Sequence, residues 1–221
     1  AGTIEHFTEH DDFGLAPGQL RLFSQSLVPT LDSKGEILFS DTDRIVTNPD
    51  GHGGVLAAVV KSGHLDRLID DGVKYLVYVQ IDNTLVPLYD PVLVGLMIDQ
   101  GADMITKVVK KSTPQEKVGN LVKVEGRDRI LEYNELSKEQ CESRDARGEY
   151  VLQYGNIAAH CFSTGFLARV YEQMGGLPFH RSAKPGVIKS EQFIFDLIPM
   201  AERHIGLEVS RAEEFAPIKD S

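Results

Sequence analysis

The sequence has few cysteines, and their positions exclude two classes of protein. Cys141 and Cys161 are the two cysteines among 221 residues, too few for the disulfide framework of a small secreted domain. Neither belongs to a C-x-x-C pair or to a zinc-ligand spacing. We therefore expect two free thiols. His160 has no second histidine at ligand spacing, so we expect it to pack or to form a local hydrogen bond rather than to bind metal.

Long apolar runs and an excess of positive charge are also missing. No stretch approaches the length of roughly 20 apolar residues that a membrane-spanning helix needs, and no signal-peptide pattern opens the sequence. With 33 acidic and 23 basic residues, the net charge is −10. A general nucleic-acid binder is disfavoured, because its affinity depends on neutralising phosphates. We expect no membrane and no nucleic-acid partner, although one nucleotide in a local basic pocket is compatible with this charge.

Composition and patterning predict one large α/β domain. The hydrophobic content of 42% and the charged content of 25% are ordinary for a globular protein. Strand-like and helix-like segments alternate along the chain, which favours the α/β class. The predicted strands cover residues 20–23, 75–81, 104–109, 119–124, 129–133 and 205–210, and the fourth and fifth of these flank the turn 125–128 as a hairpin.

Helical patterns separate these strands. The best delimited helix has Asp90 as its N-cap, Pro91 at its first position and Gly101 as its stop signal. Residues 175–187 contain glycine and two prolines, which predict a surface connection. The other predicted helices cover residues 53–62, 65–72, 164–174 and 191–203, the last kinked at Pro199, and a short one follows a capping box at 137–140.

The strand over residues 75–81 is nearly continuously apolar, as is typical of a parallel central strand that is covered on both faces. Asp82 follows it directly. In open α/β sheets, ligands bind outside the carboxyl ends of the strands, and a carboxylate there can hold Mg²⁺ that bridges phosphate oxygens. The simpler alternative is that Asp82 and Asn83 end the strand and begin a turn.

A glycine-rich loop, Asn48-Pro49-Asp50-Gly51-His52-Gly53-Gly54, precedes the first of these helical patterns. Glycine permits the backbone to approach a ligand closely, and the N–H groups at the start of the following helix favour acceptor atoms. The loop lacks the Lys-Ser/Thr ending of a phosphate P-loop. An ordinary turn is the alternative interpretation.

Further polar side chains occur where segments begin or end. Asn156 lies between a glycine and an apolar stretch, where an amide could bind sugar hydroxyls or close a turn. Glu132 and Tyr133 end a predicted strand and could face a polar ligand. Lys189 and Lys219 could neutralise phosphates, although most lysines are simply solvated.

Taken in order, these segments resemble the UDP-N-acetylhexosamine pyrophosphorylases of the UDP-sugar pyrophosphorylase family. The resemblance covers nearly all 221 residues, and many matches in one order are more specific than any single motif. The matching segments are 7–8 with 13–15, 23–25 with Pro29, 49–54, 81–83, 101–103, 118–119, 132–133, 155–157, 189–196 and 214–219.

The resemblance implies a Rossmann-like GT-A nucleotidyltransferase fold with a mixed central sheet, and a reaction that uses Mg²⁺. UTP and N-acetylglucosamine 1-phosphate would give UDP-N-acetylglucosamine and pyrophosphate, reversibly. The sugar-phosphate oxygen attacks the α-phosphorus of UTP and pyrophosphate leaves in line, so the enzyme supplies positioning and cationic stabilisation rather than a covalent nucleophile. The family resemblance also implies a cytoplasmic protein, and no obligate protein partner is evident.

The resemblance assigns roles on the nucleotide side of the site. Gln25 and Gly51 would contact the uracil. Asp82 would organise the metal ion and the phosphates. Lys219, together with Lys189, would face phosphate oxygens.

Four residues are assigned to the sugar side by the same resemblance, namely Gly119, Glu132, Tyr133 and Asn156. His52 would belong to the substrate-binding residues, but it departs from the N-acetylhexosamine branch, which commonly has asparagine at this place. Gly-His-Gly is closer to the hexose branch. The matches on the sugar side favour the hexosamine branch.

Two further departures concern the extent of the chain. The family's glycine-rich loop with Thr-Arg and Leu-Gly, which precedes the matched region and would cradle the triphosphate, has no counterpart in this sequence. We therefore expect residues 1–221 to form a partial nucleotidyltransferase catalytic domain, with the N-terminal part of the fold missing and with poor activity by itself. The segment 178–189 is also shorter than is usual in the family.

Three alternatives follow from these departures. His52 motivates a UDP-glucose or broad-specificity UDP-sugar pyrophosphorylase. The missing phosphate loop motivates a non-catalytic UDP-sugar-binding module. A GT-A glycosyltransferase is the weakest alternative, because Asp82-Asn83-Thr84 lacks the second aspartate of a D-x-D metal motif.

Overall fold

The computed structural model describes residues 2–41 and 43–218. The helices in this part are α1 Gly2–Glu9, α2 Val55–Lys61, α3 His64–Asp70, α4 Pro91–Gln100, α5 Lys138–Cys141, α6 Thr164–Met174 and α7 Arg211–Glu214. The strands are β1 Leu27–Pro29, β2 Leu31–Asp32, β3 Thr47–Pro49, β4 Tyr75–Tyr78, β5 Met104–Lys110, β6 Asn120–Val124, β7 Arg127–Leu131, β8 Tyr154–Ser163, β9 Phe179–Lys184, β10 Val187–Gln192 and β11 His204–Glu208. None of the described helices combines the length and the apolar character needed to cross a lipid bilayer.

A mixed six-stranded sheet organises the domain, as predicted. Its strands follow the order β11-β5-β8-β6-β7, and β4 also pairs with β8. β11 is parallel to β5, whereas β8 is antiparallel to β4, β5 and β6. Because β5 runs along one edge of β8 for almost its whole length, β4 and β6 share the opposite edge and leave a gap between them.

The strand β8 is distorted at this gap. The register between β5 and β8 shifts between Thr106 and Val108, and Ala158 adopts a φ of 55°. The N–H of Ala158 donates to Oδ1 of Asn156 at 2.9 Å, which stabilises the distortion. Bulges of this kind redirect side chains and are frequent beside functional sites.

Helices cover both faces of the sheet. Successive side chains of β8 point to opposite faces, so β8 contributes to the packing on both sides. Phe162 lies in a core with α2, α3 and α6. Cys161 lies in a second core with Leu93 and Met97 of α4. Both cysteines are free, as predicted, and both are buried. The result is a three-layer α/β/α arrangement whose central layer carries the gap between β4 and β6.

The predicted helix between Asp90 and Gly101 is confirmed. Oδ1 of Asp90 accepts hydrogen bonds from the N–H groups of Val92 and Leu93, both at 3.0 Å. Gly101 ends the helix with a φ of 56°. The predicted hairpin is also confirmed, but its turn contains the two residues Glu125 and Gly126 rather than four.

The interpretation of residues 75–81 as a parallel central strand is wrong. β4 ends at Tyr78 and pairs antiparallel with β8, and Ile81 is fully exposed. Asp82 therefore lies in a turn beyond the strand rather than at its last position. The apolar run is explained by burial on both faces, since Leu76 and Val77 pack into the two different cores.

Three other predictions are wrong. Residues 20–23 lie outside the strands of the described chain, and the first strand begins at Leu27. The predicted helix over 191–203 and the predicted connection over 175–187 instead contain β9, β10 and a 3-10 segment at Ile194–Met200. The strand pairing of β10 with β9 and β2 overrides the helical spacing, and Pro199 has no N–H with which to continue an α-helix.

Candidate functional site

A pocket of about 230 Å³ lies at the distorted part of β8, between the end of β4 and the start of β6. Its wall combines residues from seven separate parts of the chain, which is how a fold assembles a site from distant positions. The lining residues are His52, Gln80, Asp82, Asn83, Lys117, Val118, Gly119, Glu132, Tyr133, Asn156, Ile157, Ala158, Phe195, Phe215 and Pro217.

Six of the ten predicted site residues meet in this pocket, although they are separated by up to 104 positions in sequence: His52, Asp82, Gly119, Glu132, Tyr133 and Asn156. Sequence reasoning missed Gln80, Asn83, Lys117 and the aromatic residues Phe195 and Phe215. A signal existed for each of them. Gln80 and Lys117 precede predicted site residues by two positions, the period of extended chain. Asn83, Phe195 and Phe215 belong to family-matching segments.

Asn156 and Gly119 form the part of the pocket nearest to β6. The N–H of Asn156 donates to the carbonyl oxygen of Gly119 at 2.8 Å, so the two segments are held side by side. A Cβ atom on Gly119 would lie 2.6 Å from Cγ2 of Ile130 and 2.9 Å from Oε1 of Glu132. A glycine is therefore required here by close packing.

Glu132 and Tyr133 follow β7 and close the sugar side of the predicted site. Glu132 belongs to a capping box with Glu135, and its N–H donates to Oε2 of Glu135 at 3.2 Å. This reciprocal capping fixes the turn. Tyr133, which is 42% exposed, presents its ring at the pocket edge.

His52 enters the pocket as a neutral imidazole. Burial lowers its pKa to about 4. Its Nδ1 accepts a hydrogen bond from the N–H of Ile194 at 3.1 Å, and an accepting Nδ1 places the proton of the neutral ring on Nε2. The ring is held by stacking on Phe193, with centroids 5.3 Å apart. His52 therefore offers an N–H donor rather than a positive charge.

Gly51 of the glycine-rich loop, and Gln25 which contacts this loop, lie beside the pocket rather than in its wall. The side-chain amide of Gln25 donates to the carbonyl oxygen of Gly51 and, at 3.2 Å, to Oδ1 of Asp50. Burial raises the pKa of Asp50. Gly51 has a φ of 86°, and a Cβ there would lie 2.6 Å from the carbonyl oxygen of Gln192. Both the backbone angle and the contact demand glycine.

Asp82 supplies the pocket with a partly exposed carboxylate. Among residues 2–41 and 43–218, no group of three or more histidine, cysteine or acidic side chains could hold a metal ion. Mg²⁺ is commonly bound by one or two carboxylates together with substrate phosphates and water. A single aspartate in a polar pocket fits this mode of binding, whereas a cage built from protein ligands alone is not present in the described chain.

Of the two predicted phosphate-binding lysines, Lys189 is not among the residues that line the pocket. Lys189 lies on β10, opposite Ser182 of β9. Lys219 lies outside the described residues. Their assignment to phosphate oxygens stays a prediction, and Lys117 is a lysine that does line the pocket.

The sheet, its helical layers and the polar pocket together define a nucleotidyltransferase-like α/β domain. The chain belongs to the family described as UTP--glucose-1-phosphate uridylyltransferase, which matches residues 4–221. The resemblance to UDP-N-acetylhexosamine pyrophosphorylases inferred from the motifs is thereby confirmed at the level of the family and by its named relatives.

One such relative is the human UDP-N-acetylhexosamine pyrophosphorylase-like protein 1, which is 35% identical over 99% of this chain and 46% of its own length. UDP-N-acetylglucosamine diphosphorylase 1 of Arabidopsis thaliana is 34% identical, again over 99% and 46%. The solved structure of uridine diphosphate N-acetylglucosamine pyrophosphorylase from Trypanosoma brucei is 30% identical and has a TM-score of 0.89, covering 100% of this chain and 48% of that one. The chain thus spans about half the length of the curated relatives it matches.

Proposed function

We propose that this chain carries the sugar-nucleotide site of a uridylyltransferase. The whole protein would convert UTP and N-acetylglucosamine 1-phosphate to UDP-N-acetylglucosamine and pyrophosphate, reversibly and in the cytoplasm. The observation that carries the proposal is the meeting in one pocket of six residues that the sequence motifs predicted from distant positions. The names of the relatives support the choice of N-acetylglucosamine among sugars.

On this proposal, the two sides of the pocket have different tasks. Gly119, Glu132, Tyr133 and Asn156 hold the sugar hydroxyls through hydrogen bonds, since their segments are fixed by the capping box and by the bond from Asn156 to Gly119. Gln25 and Gly51 receive the uracil. The N–H of His52 donates to an acceptor atom of the ligand.

The phosphate side centres on Asp82, which would be the ligand of Mg²⁺. When bound, the ion neutralises the phosphate charge that builds up during transfer. Lys117 in the wall adds positive charge. Lys219 and Lys189 are proposed to contribute further phosphate contacts.

Calorimetric titration with UDP-N-acetylglucosamine, with Mg²⁺ and with EDTA, tests the proposal. We expect one-site binding that is tighter with Mg²⁺, and we expect Asp82→Asn to remove this increment without changing the melting temperature. Lack of binding by a folded sample contradicts the proposal. If the affinity of Asp82→Asn for UDP-N-acetylglucosamine still increases with Mg²⁺ as in the unaltered protein, Asp82 is not a metal ligand.

The same titration with UDP-glucose tests the second candidate function, a UDP-glucose or broad-specificity UDP-sugar pyrophosphorylase, which His52 favours. Tighter binding of UDP-glucose than of UDP-N-acetylglucosamine would select it. The third candidate function, a non-catalytic UDP-sugar-binding module, is tested by a transferase assay on the whole protein. Formation of pyrophosphate from UTP and the sugar phosphate there would exclude it.

A further inference from the structure

Residues 211–218, here called the C-terminal clasp, form one wall of the pocket and touch the segment that carries the candidate metal ligand. Phe215 and Pro217 line the pocket. The N–H of Ile218 donates to the carbonyl oxygen of Asp82 at 2.8 Å. The position of the backbone at Asp82 is therefore coupled to the position of the clasp.

A buried asparagine makes this coupling stronger. Asn83 is 5% exposed, and its side-chain oxygen accepts from the N–H of Ala216 at 3.0 Å. Its side-chain N–H donates to the carbonyl oxygen of Glu214 at 2.8 Å. The amide of Asn83 accepts one hydrogen bond from the clasp and donates another to it. Together these bonds fix both the distance and the register of the clasp against Asn83.

The side chain of Glu214 anchors the clasp to the sheet through a buried lysine. Lys107 lies in the middle of β5 and is 1% exposed. Its Nζ contacts Oε2 of Glu214 at 2.6 Å and Oδ2 of Asp90 at 2.5 Å. A charge buried this deeply is tolerated only when it is paired. Lys107 thus joins α4, β5 and the clasp at one point.

The other end of the clasp is held by a partly buried ion pair. Nη2 of Arg211 contacts Oε1 of Glu116 at 2.5 Å, and Oε2 of Glu116 accepts from the N–H of Ser112 at 2.7 Å. This pair joins the clasp to the loop that continues to Lys117 and Gly119 of the pocket. Arg211 is more exposed than Lys107, so solvent screens this pair more and makes it the weaker anchor.

We propose that Lys107 is a positioning residue for the phosphate side of the site. It holds Glu214, and through Glu214 and Asn83 it keeps the clasp against Asp82. The identity of the ligand in this inference rests on the proposed function, whereas the contacts between Lys107, Glu214 and the clasp do not. The inference assigns a positioning role to a buried lysine that is not among the residues that line the pocket.

Two substitutions that each remove one carboxylate from the same lysine test the proposal. Glu214→Gln weakens the contact on the clasp side. Asp90→Asn is the matched control, because it makes the same charge change on the α4 side and keeps an oxygen for the helix cap. Both variants preserve side-chain size, so both are expected to fold.

We expect Glu214→Gln to accelerate hydrogen exchange at the amides of Ala216 and Ile218 by about ten-fold or more, and Asp90→Asn to change it by less than about two-fold. Calorimetry should show a loss of about ten-fold in the Mg²⁺-dependent affinity for UDP-N-acetylglucosamine in Glu214→Gln alone. The affinity measured in EDTA should be unchanged in both variants.

If the two substitutions changed hydrogen exchange and affinity equally, the proposal would be overturned, because Lys107 would then stabilise the fold in general rather than position the clasp. Unchanged exchange in Glu214→Gln would overturn it as well. If the unaltered protein does not bind the sugar nucleotide, the proposed function fails, whereas the exchange comparison still decides whether Lys107 holds the clasp.

Discussion

His52 illustrates how one residue's surroundings define its chemistry. Its sequence context, Gly-His-Gly, left a choice between hexose and hexosamine branches. The structure adds that burial lowers its pKa to about 4 and that the N–H of Ile194 occupies Nδ1. At neutral pH the ring is therefore a donor without charge.

The first prediction concerns the pH dependence of binding. Because the pKa of His52 in the folded protein is about 4, the ring stays neutral between about pH 5 and 8. We expect the affinity for UDP-N-acetylglucosamine, measured by calorimetry, to be constant across this range. An affinity that falls as pH rises through about 6.5, and does so only when His52 is present, would show that a charged imidazole binds the ligand. The variant His52→Asn provides the comparison.

The second prediction concerns Asn156. Its side-chain oxygen is occupied by the N–H of Ala158, so its N–H groups are what it offers to a sugar. We expect Asn156→Ala to weaken UDP-N-acetylglucosamine binding by about ten-fold, the value of roughly one hydrogen bond, and to weaken UTP binding less. Equal losses for both ligands in calorimetry would mean that the residue serves the backbone distortion alone.

The third prediction concerns Gly119, where a methyl group would meet Ile130 and Glu132. Gly119→Ala is expected to cost about 1–3 kcal/mol of unfolding free energy by overpacking, and to weaken sugar-nucleotide binding by displacing Glu132. Gly95→Ala on α4 is the control, since a Cβ there has no neighbour within 4 Å among the described residues. Urea unfolding and calorimetry of both variants decide whether the effect is specific to the site.

At the scale of elements, the site depends on a sheet edge that two strands share. β4 pairs with residues 160–163 of β8, whereas β6 pairs with it at Gly155, so no strand of this sheet pairs with the stretch between them on that edge of the described structure. The gap that results exposes the distorted stretch of β8 to ligand. α4 supports this arrangement from the opposite face, where Met97 is fully buried against Ile105 and Cys161.

The fourth prediction tests this support. Met97→Ala should lower the unfolding free energy by about 2–5 kcal/mol, because it leaves a cavity in a closed core. Val92→Ala, at a position 71% exposed on the same helix, should change it by less than about 0.5 kcal/mol. Urea denaturation measures both. Similar small effects would mean that α4 packs loosely on the sheet.

At the scale of the whole molecule, three buried imidazoles make stability depend on pH. Desolvation lowers the pKa of His52 to about 4, of His160 to about 3, and also lowers that of His204. His160 packs in the core, one of its two predicted roles, and its hydrogen bond is not local, because Nδ1 lies 3.0 Å from Oγ1 of Thr106, 54 positions away in sequence. Below about pH 6.5, these histidines bind protons in the unfolded chain but remain neutral in the folded protein.

The fifth prediction follows from the sign of these shifts. Since the folded pKa values lie below the unfolded ones, stability is greatest above about pH 6.5 and falls as pH decreases toward about 4. We expect His160→Phe to reduce this slope in urea unfolding measured at several pH values. His6→Gln, at an exposed position on α1, should leave it unchanged. A slope that is identical in both variants would contradict the assignment of a buried neutral His160.

The sequence by itself determined the local features that depend on neighbouring residues. Asp90, Pro91 and Gly101 delimit α4 because capping and the left-handed stop are short-range chemistry. The hairpin at Glu125 and Gly126 was found for the same reason. Ordered motifs identified the family and six pocket residues, since ligand-binding segments are recognisable without their partners.

Only the tertiary structure decided what depends on distant contacts. Residues 179–192 form strands because β9, β10 and β2 pair with one another, which no local periodicity reveals. The antiparallel direction of β4 is set by β8, more than 75 positions later in the chain. Lys107 is a charged residue within an otherwise largely apolar strand, and only the fold places Asp90 and Glu214 around it. The desolvation cost of a buried charge is offset by oppositely charged partners that only folding brings together.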